Sequence, residues 1–348
     1  MSTCTFLDGT KVSDYGRPYF IAEVNSSHNG SMETARRMID AAADIGADCV
    51  KFQSWSAASL YSKTYYDENP IAKRFVDRFA LSPEQLKELS AYARSKELAF
   101  SSTPYAEEEV DFLLEECCAP FLKIASMELD HLDFLSYIGR KKVPLVLSTG
   151  MGTMEEIRRA VQILERAGTE RMTLLHCVSI YPTQVETLNL RNILGLRKEF
   201  PQYPIGFSDH TEGDAAAIAA VALGAALVEK HLTLDRTKVG MDNGMATEPE
   251  PFRQMVASCR MVQEGLGIEE RIVYPEEMKQ RRKMRRSVIV IKDFPAGHVL
   301  RAEDLYAKRP GTGISPDKLH LLVGKTLKHK VQADTVLREE DLLEDITV

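Results

Sequence analysis

No uninterrupted apolar run in this sequence approaches about 18 residues, so a membrane span is not expected. There is no basic excess either. The 44 lysines and arginines stand against 51 acidic residues, and the formal net charge of −7 offers no footprint for nucleic acid. The opening residues, MSTCTFLDGTKVSDYGRP, lack the basic-then-apolar order of a secretory signal, and a cytoplasmic location is expected. None of the six cysteines (Cys4, Cys49, Cys117, Cys118, Cys177, Cys259) forms a C-x-x-C pair. Cys49 and Cys177 sit in apolar, strand-like runs, so reduced and mostly buried thiols are expected and zinc–thiolate chemistry is disfavoured.

What is present is an alternation of short apolar runs and helical segments. Strand-like runs fall at Tyr19–Val24, Cys49–Gln53, Leu98–Ser102, Phe121–Ala125, Leu145–Ser148, Met172–Val178, Pro204–Ser208 and Leu227–Lys230. Helical patterns follow them, among them Met32–Ile45, Pro83–Ser95, Thr153–Ala167, Gly213–Leu223 and roughly Glu250–Leu266. Eight βα units over about 250 residues are what a (β/α)8 TIM barrel requires. A doubly wound sheet is the alternative, but the Gly-rich nucleotide fingerprint is missing.

Three segments fall outside the alternation. Residues before Tyr19 predict a short hairpin at the barrel bottom, because Phe6 and Val12 flank the turn-like Asp8-Gly9. Trp55–Ala80, rich in Tyr, Lys and Asp, reads as a long loop insertion over the substrate. Residues 268–286 read as a connector between a barrel of residues 1–267 and a small β-rich domain of 287–348. Its crowded Lys279, Arg281, Arg282, Lys283, Arg285 and Arg286 fit a solvated linker better than an anion site. The small domain contains a near-repeat: AGHVLRAEDL from Ala296 recurs as ADTVLREEDL from Ala333, at an offset of 37 residues.

Functional side chains of a barrel collect at the C-terminal ends of its strands. Those ends carry Glu23; Lys51 and Gln53; Thr103; Lys123, Ser126 and Glu128; Ser148; Ser179 and Tyr181; Ser208, Asp209 and His210; and Glu229, Lys230 and His231. Polar clusters at all eight ends suit a small, highly polar ligand. Lys51 and Lys123 each lie between apolar neighbours, so they point into the barrel, where a lysine is costly unless it meets an anion. A bound phosphate and carboxylate, or internal ion pairs with Glu23 or Glu229, satisfy that requirement. For His210 and His231 two readings also stand: hydrogen-bonded barrel histidines, or ligands to a divalent metal. Glu23, Asp209 and Asp242 nearby favour an N/O-ligated ion such as Mn²⁺ or Mg²⁺.

These pieces, in order, carry a family resemblance. Ile21-Ala22-Glu23 with His28-Asn29-Gly30, Lys51-Phe52-Gln53, Ser102-Thr103-Pro104, Lys123-Ile124-Ala125-Ser126, Ser148-Thr149-Gly150-Met151, His176-Cys177, Tyr181-Pro182, Phe207-Ser208-Asp209-His210 and Glu229-Lys230-His231 resemble the sialic acid synthases. Those enzymes condense phosphoenolpyruvate with an N-acylated amino sugar. The tail, with Lys308-Arg309-Pro310-Gly311, resembles the antifreeze-like (SAF) domain that they carry.

The resemblance implies roles position by position. His210 and His231 would hold the metal, Mn²⁺ first, with Mg²⁺ or Co²⁺ as alternatives, and polarise the sugar aldehyde. Lys51, Thr103, Lys123, Ser126, Ser148, Ser179 and Ser208 would hold phosphoenolpyruvate. Gln53, Glu128, Tyr181 and Asp242 would surround the amino sugar. Beside these implied roles, the position of Glu23 at the end of strand one makes it the candidate base for water addition. A domain-swapped homodimer is implied, in which Arg309 of one copy reaches the sugar's N-acyl group in the other. The sequence departs from the family at Asn25, where Gly is common, and at Ser27 and Ser179, where Asn is common. A neuraminate-type activity is the generic expectation, with legionaminic or pseudaminic acid synthesis as the alternative. A 3-deoxy-octulosonate phosphate synthase is disfavoured by the SAF tail, and a silent binding subunit by the intact lysines, histidines and Glu23.

Overall fold

The computed structural model describes residues 2–346 and divides into two compact units, one ending at Gly267 and the other starting at Ile268. In the first unit a short hairpin, β1 (Thr3–Thr5) and β2 (Lys11–Ser13), precedes eight strands. These are β3 (Tyr19–Glu23), β4 (Cys49–Gln53), β5 (Ala99–Thr103), β6 (Leu122–Ile124), β7 (Leu145–Ser148), β8 (Met172–Cys177), β9 (Ile205–Asp209) and β10 (Leu227–His231). Their order is β5-β4-β3-β10-β9-β8-β7-β6, and every paired seam is parallel. Ser101 Oγ–H donates to the Phe121 carbonyl at 3.1 Å, where β5 meets β6, so the sheet closes on itself. The expected (β/α)8 TIM barrel is the fold.

The alternation along each strand explains what the barrel can do. Phe20, Ala22, Val50, Phe52, Phe100, Leu174, Phe207 and Val228 face outward and pack against the helices. The other parity faces inward, and its lower positions are apolar: Tyr19, Ile21, Cys49, Phe121, Val146, Leu175 and Leu227 form one cluster. The hairpin plugs this end with Cys4, Phe6 and Val12, and the Phe6 ring sits 4.5 Å from Phe121 and 5.3 Å from Tyr19. One pleat further up, the same inward columns carry Glu23, Lys51, Lys123, Ser148, Ser208 and Glu229. A dry floor thus supports a charged layer.

The insertion is not the loop that its composition suggests. It folds as three short helices, Ala57–Leu60, Lys63–Glu68 and Pro70–Phe79. Ser56 and Ser62 accept from the first free backbone N–H groups, and Pro70 occupies a first-turn position that needs no donor. Trp55, Tyr66, Val76 and Phe79 give these helices a core of their own, against which Tyr105 packs.

The second unit holds an antiparallel pair, β11 (Ser287–Val290) and β12 (Leu305–Lys308), with isolated bridges such as Phe294–Val331 and Leu327–Leu342. Val288, Val290, Leu300, Leu305, Leu322, Leu327 and Leu337 fill its core. The near-repeat is realised as two copies of one turn. Asp304 and Asp341 each accept from the backbone N–H of the arginine three residues back, at 3.1 and 2.7 Å, and each also meets a histidine at 2.8 Å. Within the basic connector, Pro275–Met284 is an exposed helix, with Glu276 and Glu277 in its first turn and Arg281, Arg282 and Lys283 in its last, the arrangement its dipole favours. Among the described residues no helix is long and apolar enough to cross a membrane.

Candidate active site

A cavity of about 440 Å³ opens at the C-terminal ends of the strands. Its lining includes Glu23, Lys51, Gln53, Thr103, Lys123, Ser126, Ser148, Ser179, Tyr181, Ser208, His210, His231 and Asp242, so nearly all the side chains singled out in the sequence converge there. Two do not line it. Glu128 follows β6 in a short 3-10 turn, and its carboxylate meets His131 Nδ1 at 2.9 Å. Arg309 belongs to the second unit.

The two lysines anchor the layer above the floor. Lys51 Nζ donates to Thr103 Oγ1 at 3.0 Å, pairs with Glu23, and lies 3.9 Å from Glu229. Lys123 Nζ donates to Ser148 Oγ at 2.7 Å and lies 3.8 Å from Glu229. Of the two readings open from sequence, the internal ion pairs are therefore formed. Buried ammonium groups need such counterions, because their desolvation is otherwise too costly. Burial works against the Lys51 charge, but Glu229 and Glu23 overcome it and raise its pKa. Lys123, where burial wins and Lys51 adds repulsion, is shifted below the ordinary lysine value. Burial lifts Glu23 above the usual carboxylate range against the pull of Lys51. Glu229 faces both lysines and His210, which outweigh its burial and lower it.

His210 and His231 stand side by side, ring centres 5.4 Å apart, and Tyr181 lies 4.2 Å from the His210 ring. The Val178 carbonyl is 2.8 Å from His210 Nδ1, which makes that nitrogen a proton donor and turns Nε2 to the other side of the ring as the candidate ligand atom. Burial, with His210 and Lys51 adding to it, keeps His231 well below the usual imidazole range, so it is neutral. Asp209 is a correction. It lies on the outward parity of β9 and takes the Lys230 ammonium at 2.6 Å together with Thr211 at 2.7 Å, so it is spent outside the cavity. Asp242 accepts from the Asn25 amide and stands 3.7 Å from His231 Nδ1. Among the described residues no group of three His, Cys, Asp or Glu side chains is arranged to hold a metal. The two imidazoles, once both are deprotonated, would fit half a coordination shell, to be completed by substrate oxygens or water. Burial disfavours the charged form of His210, but Cys177, the Val178 carbonyl and Glu229 together raise its pKa.

Asn25, singled out in the sequence as a departure from the family, stands beside Glu23, and other neighbours escaped sequence reasoning. Asn25 takes a left-handed conformation (φ +42°), which asparagine tolerates, and its N–H donates to Glu23 Oε1 at 2.9 Å. Cys177, read as an ordinary buried thiol, lines the cavity 3.9 Å from His210 Nδ1. Trp55, Tyr61, Tyr105, Met127, Met151 and Met241 line it as well. Trp55 and Tyr105 come to it through the core of the insertion helices, and the three methionines follow barrel strands. Gly150 is required by close approach: an added Cβ would press into Ser179 Oγ and come within 2.9 Å of Ser126 Oγ.

The description of a NeuB family model matches residues 38–271, and that of a SAF domain matches residues 285–343. The chain belongs to the NeuB family. It is 34% identical to N,N'-diacetyllegionaminic acid synthase of Legionella pneumophila, covering 93% of this chain and 94% of that protein. It is 33% identical to human (Homo sapiens) N-acetylneuraminate-9-phosphate synthase, covering 92% of each. Among solved structures, N-acetylneuraminic acid synthetase from Leptospira borgpetersenii, in complex with citrate, superposes with a TM-score of 0.73 at 30% identity, over 80% of this chain and 96% of that one. The NeuB chain described here thus shares fold and domain order with synthases of sialic-acid-like sugars.

Proposed function

We propose that this NeuB-family barrel condenses phosphoenolpyruvate with an N-acetylated amino sugar and water, releasing phosphate and a nonulosonic acid. The observation that carries the reading is the pair of buried lysines, each already donating to a hydroxyl, Thr103 or Ser148, at the base of a cavity large enough for two small polar substrates. In the bound state the enol ester's carboxylate and phosphate take over lysine hydrogens now shared with Glu23 and Glu229, with Ser126, Ser179 and Ser208 as further donors. Held so, C3 attacks the open-chain aldehyde carbon, leaving an electron-deficient C2 and an alkoxide, which takes the proton that the incoming water gives up through Glu23. Water adds to C2, its proton passing to Glu23, whose burial makes it a better acceptor than an exposed glutamate. The bond from C2 to the bridging oxygen then breaks, phosphate leaves with that oxygen and takes the proton of the C2 hydroxyl, and a ketone forms.

His210 and His231 would hold a divalent ion, manganese ahead of magnesium or cobalt, which supplies Lewis acidity toward the aldehyde oxygen. Asp242 and Tyr181 face the sugar in this reading, and Arg309 of a second copy of the chain reaches it in a domain-swapped dimer.

A specific observation favours a second reading of the sugar. The exposed residues of the lining are Tyr61, Met127, Met151, Tyr181 and Met241, without a charged side chain, whereas every lysine and glutamate of the lining is buried and Asp242 is half-buried. Such a mouth suits the methyl and acetamido groups of a diacetamido-trideoxyhexose, as used for legionaminic or pseudaminic acids, better than N-acetylmannosamine or its phosphate. Phosphate release from phosphoenolpyruvate over these three sugars, with and without Mn²⁺, tests both readings. Sugar-dependent release is expected. Release without sugar, or with none of them, sinks the condensation. Preference for the phosphorylated sugar sinks the second reading alone.

A further inference from the structure

The cavity contains a hydrogen-bond chain that reaches Glu23 from outside the strand ends. Gln53 Oε1 accepts from Trp55 Nε1–H at 2.9 Å and from Tyr105 O–H at 2.9 Å, and Gln53 Nε2–H donates to Glu23 Oε1 at 3.2 Å. The amide orientation follows from chemistry alone. Indole nitrogen is only a donor and a carboxylate only an acceptor, so a flipped Gln53 would set donor against donor and acceptor against acceptor. With Trp55 in place, the amide has one orientation, and it hands Glu23 a donor that favours and aims the charged carboxylate. Gln53, expected to contact the sugar, has its carbonyl and one N–H committed here.

Trp55 is 3% exposed and belongs to the core of the insertion helices, with Tyr66, Val76 and Phe79, and Tyr105 packs on the same cluster. We propose that Trp55 and Tyr105 are positioning residues: through the amide of Gln53 they set the Glu23 carboxylate, so the insertion seats the base as well as roofing the cavity. The inference rests on the proposed role of Glu23, and its test separates the two.

Trp55 is the sole tryptophan of the chain, so its fluorescence reports on the relay directly. The first measurement is its emission in the wild type and in Gln53→Met, which keeps the bulk but offers no donor and only a weak thioether acceptor. A shifted maximum is expected as the indole N–H loses its partner; an unchanged one overturns the relay, whether or not the protein turns over. The second is a cycle on phosphate release with Tyr105→Phe, Gln53→Met and both together. Tyr105→Phe alone should lower kcat about fivefold, the scale of one neutral hydrogen bond, with KM for phosphoenolpyruvate unchanged. Gln53→Met should lower it about tenfold or more, since that bond is to a charged group. Added to Gln53→Met, Tyr105→Phe should then cost nothing further. Multiplying losses, or a raised sugar KM with kcat intact, would mean that Tyr105 acts on the fold or the sugar, and would overturn the relay. A wild type that releases no phosphate with any sugar removes the condensation reading instead, leaving the emission to decide the relay.

Discussion

The floor and the mouth of the cavity are built on opposite terms. At the floor, Lys51 is 2% exposed and the charges are matched by opposite charges or hydroxyls: lysines by Glu23 and Glu229, Thr103 and Ser148 hydroxyls on the lysines. At the mouth, Met151 is 70% exposed, and its neighbours Tyr61, Met127 and Met241 are uncharged and partly open. Buried charge is stiff, because moving one partner strands the other. Methionine and tyrosine surfaces adapt, because they lose little when the group against them changes. The floor therefore suits a substrate that never varies, and the mouth a substrate that does.

Substitutions can break that contrast, and the floor should give the largest effects. Lys51→Met leaves Glu23 without its ammonium and Glu229 with one cation instead of two. We expect kcat/KM to fall by about a thousandfold or more and stability to fall by about 3–5 kcal/mol, read by phosphate release and urea unfolding. Gly150→Ala comes next. Its methyl displaces Ser126 and Ser179, and a shift near 1 Å should cost about a hundredfold in kcat/KM, with urea stability little changed.

A pH series sharpens the same comparison. Lys123 binds an anion only when protonated, and burial has lowered its pKa. The KM for phosphoenolpyruvate should therefore rise with pH through a value below that of an exposed lysine, while sugar preference stays constant. A KM flat to the ordinary lysine range would contradict the assignment. The mouth should give the smallest effects. Met151→Lys places a cation at the rim, and we expect about a tenfold gain, at most, for a phosphorylated sugar over its neutral form, with the phosphoenolpyruvate KM unmoved.

The floor was largely legible in the sequence, and the mouth was not. Barrel strands announce themselves as apolar runs, and a lysine between Val50 and Phe52 can only face inward, so Lys51, Lys123, Thr103 and Ser148 were readable one strand at a time. Asp209 was misplaced because one step along a strand reverses the face, and its neighbour Ser208 is the inward residue. Trp55, Tyr61 and Tyr105 were invisible for a different reason. Their place depends on three helices too short to show a period, held by serine caps and by packing on each other. Asn25 meets Asp242 across most of the barrel sequence, a contact no local pattern encodes.

The central claim is that the floor binds phosphoenolpyruvate for carbon–carbon bond formation followed by loss of phosphate from C2. The most direct test uses phosphoenolpyruvate carrying a heavy oxygen isotope at the bridging position, incubated with the wild-type protein, a divalent ion and the accepted amino sugar. The account predicts that the released phosphate carries the label and that no label is released when the sugar is omitted. Label retained in the sugar product, or phosphate released without any sugar, would contradict it.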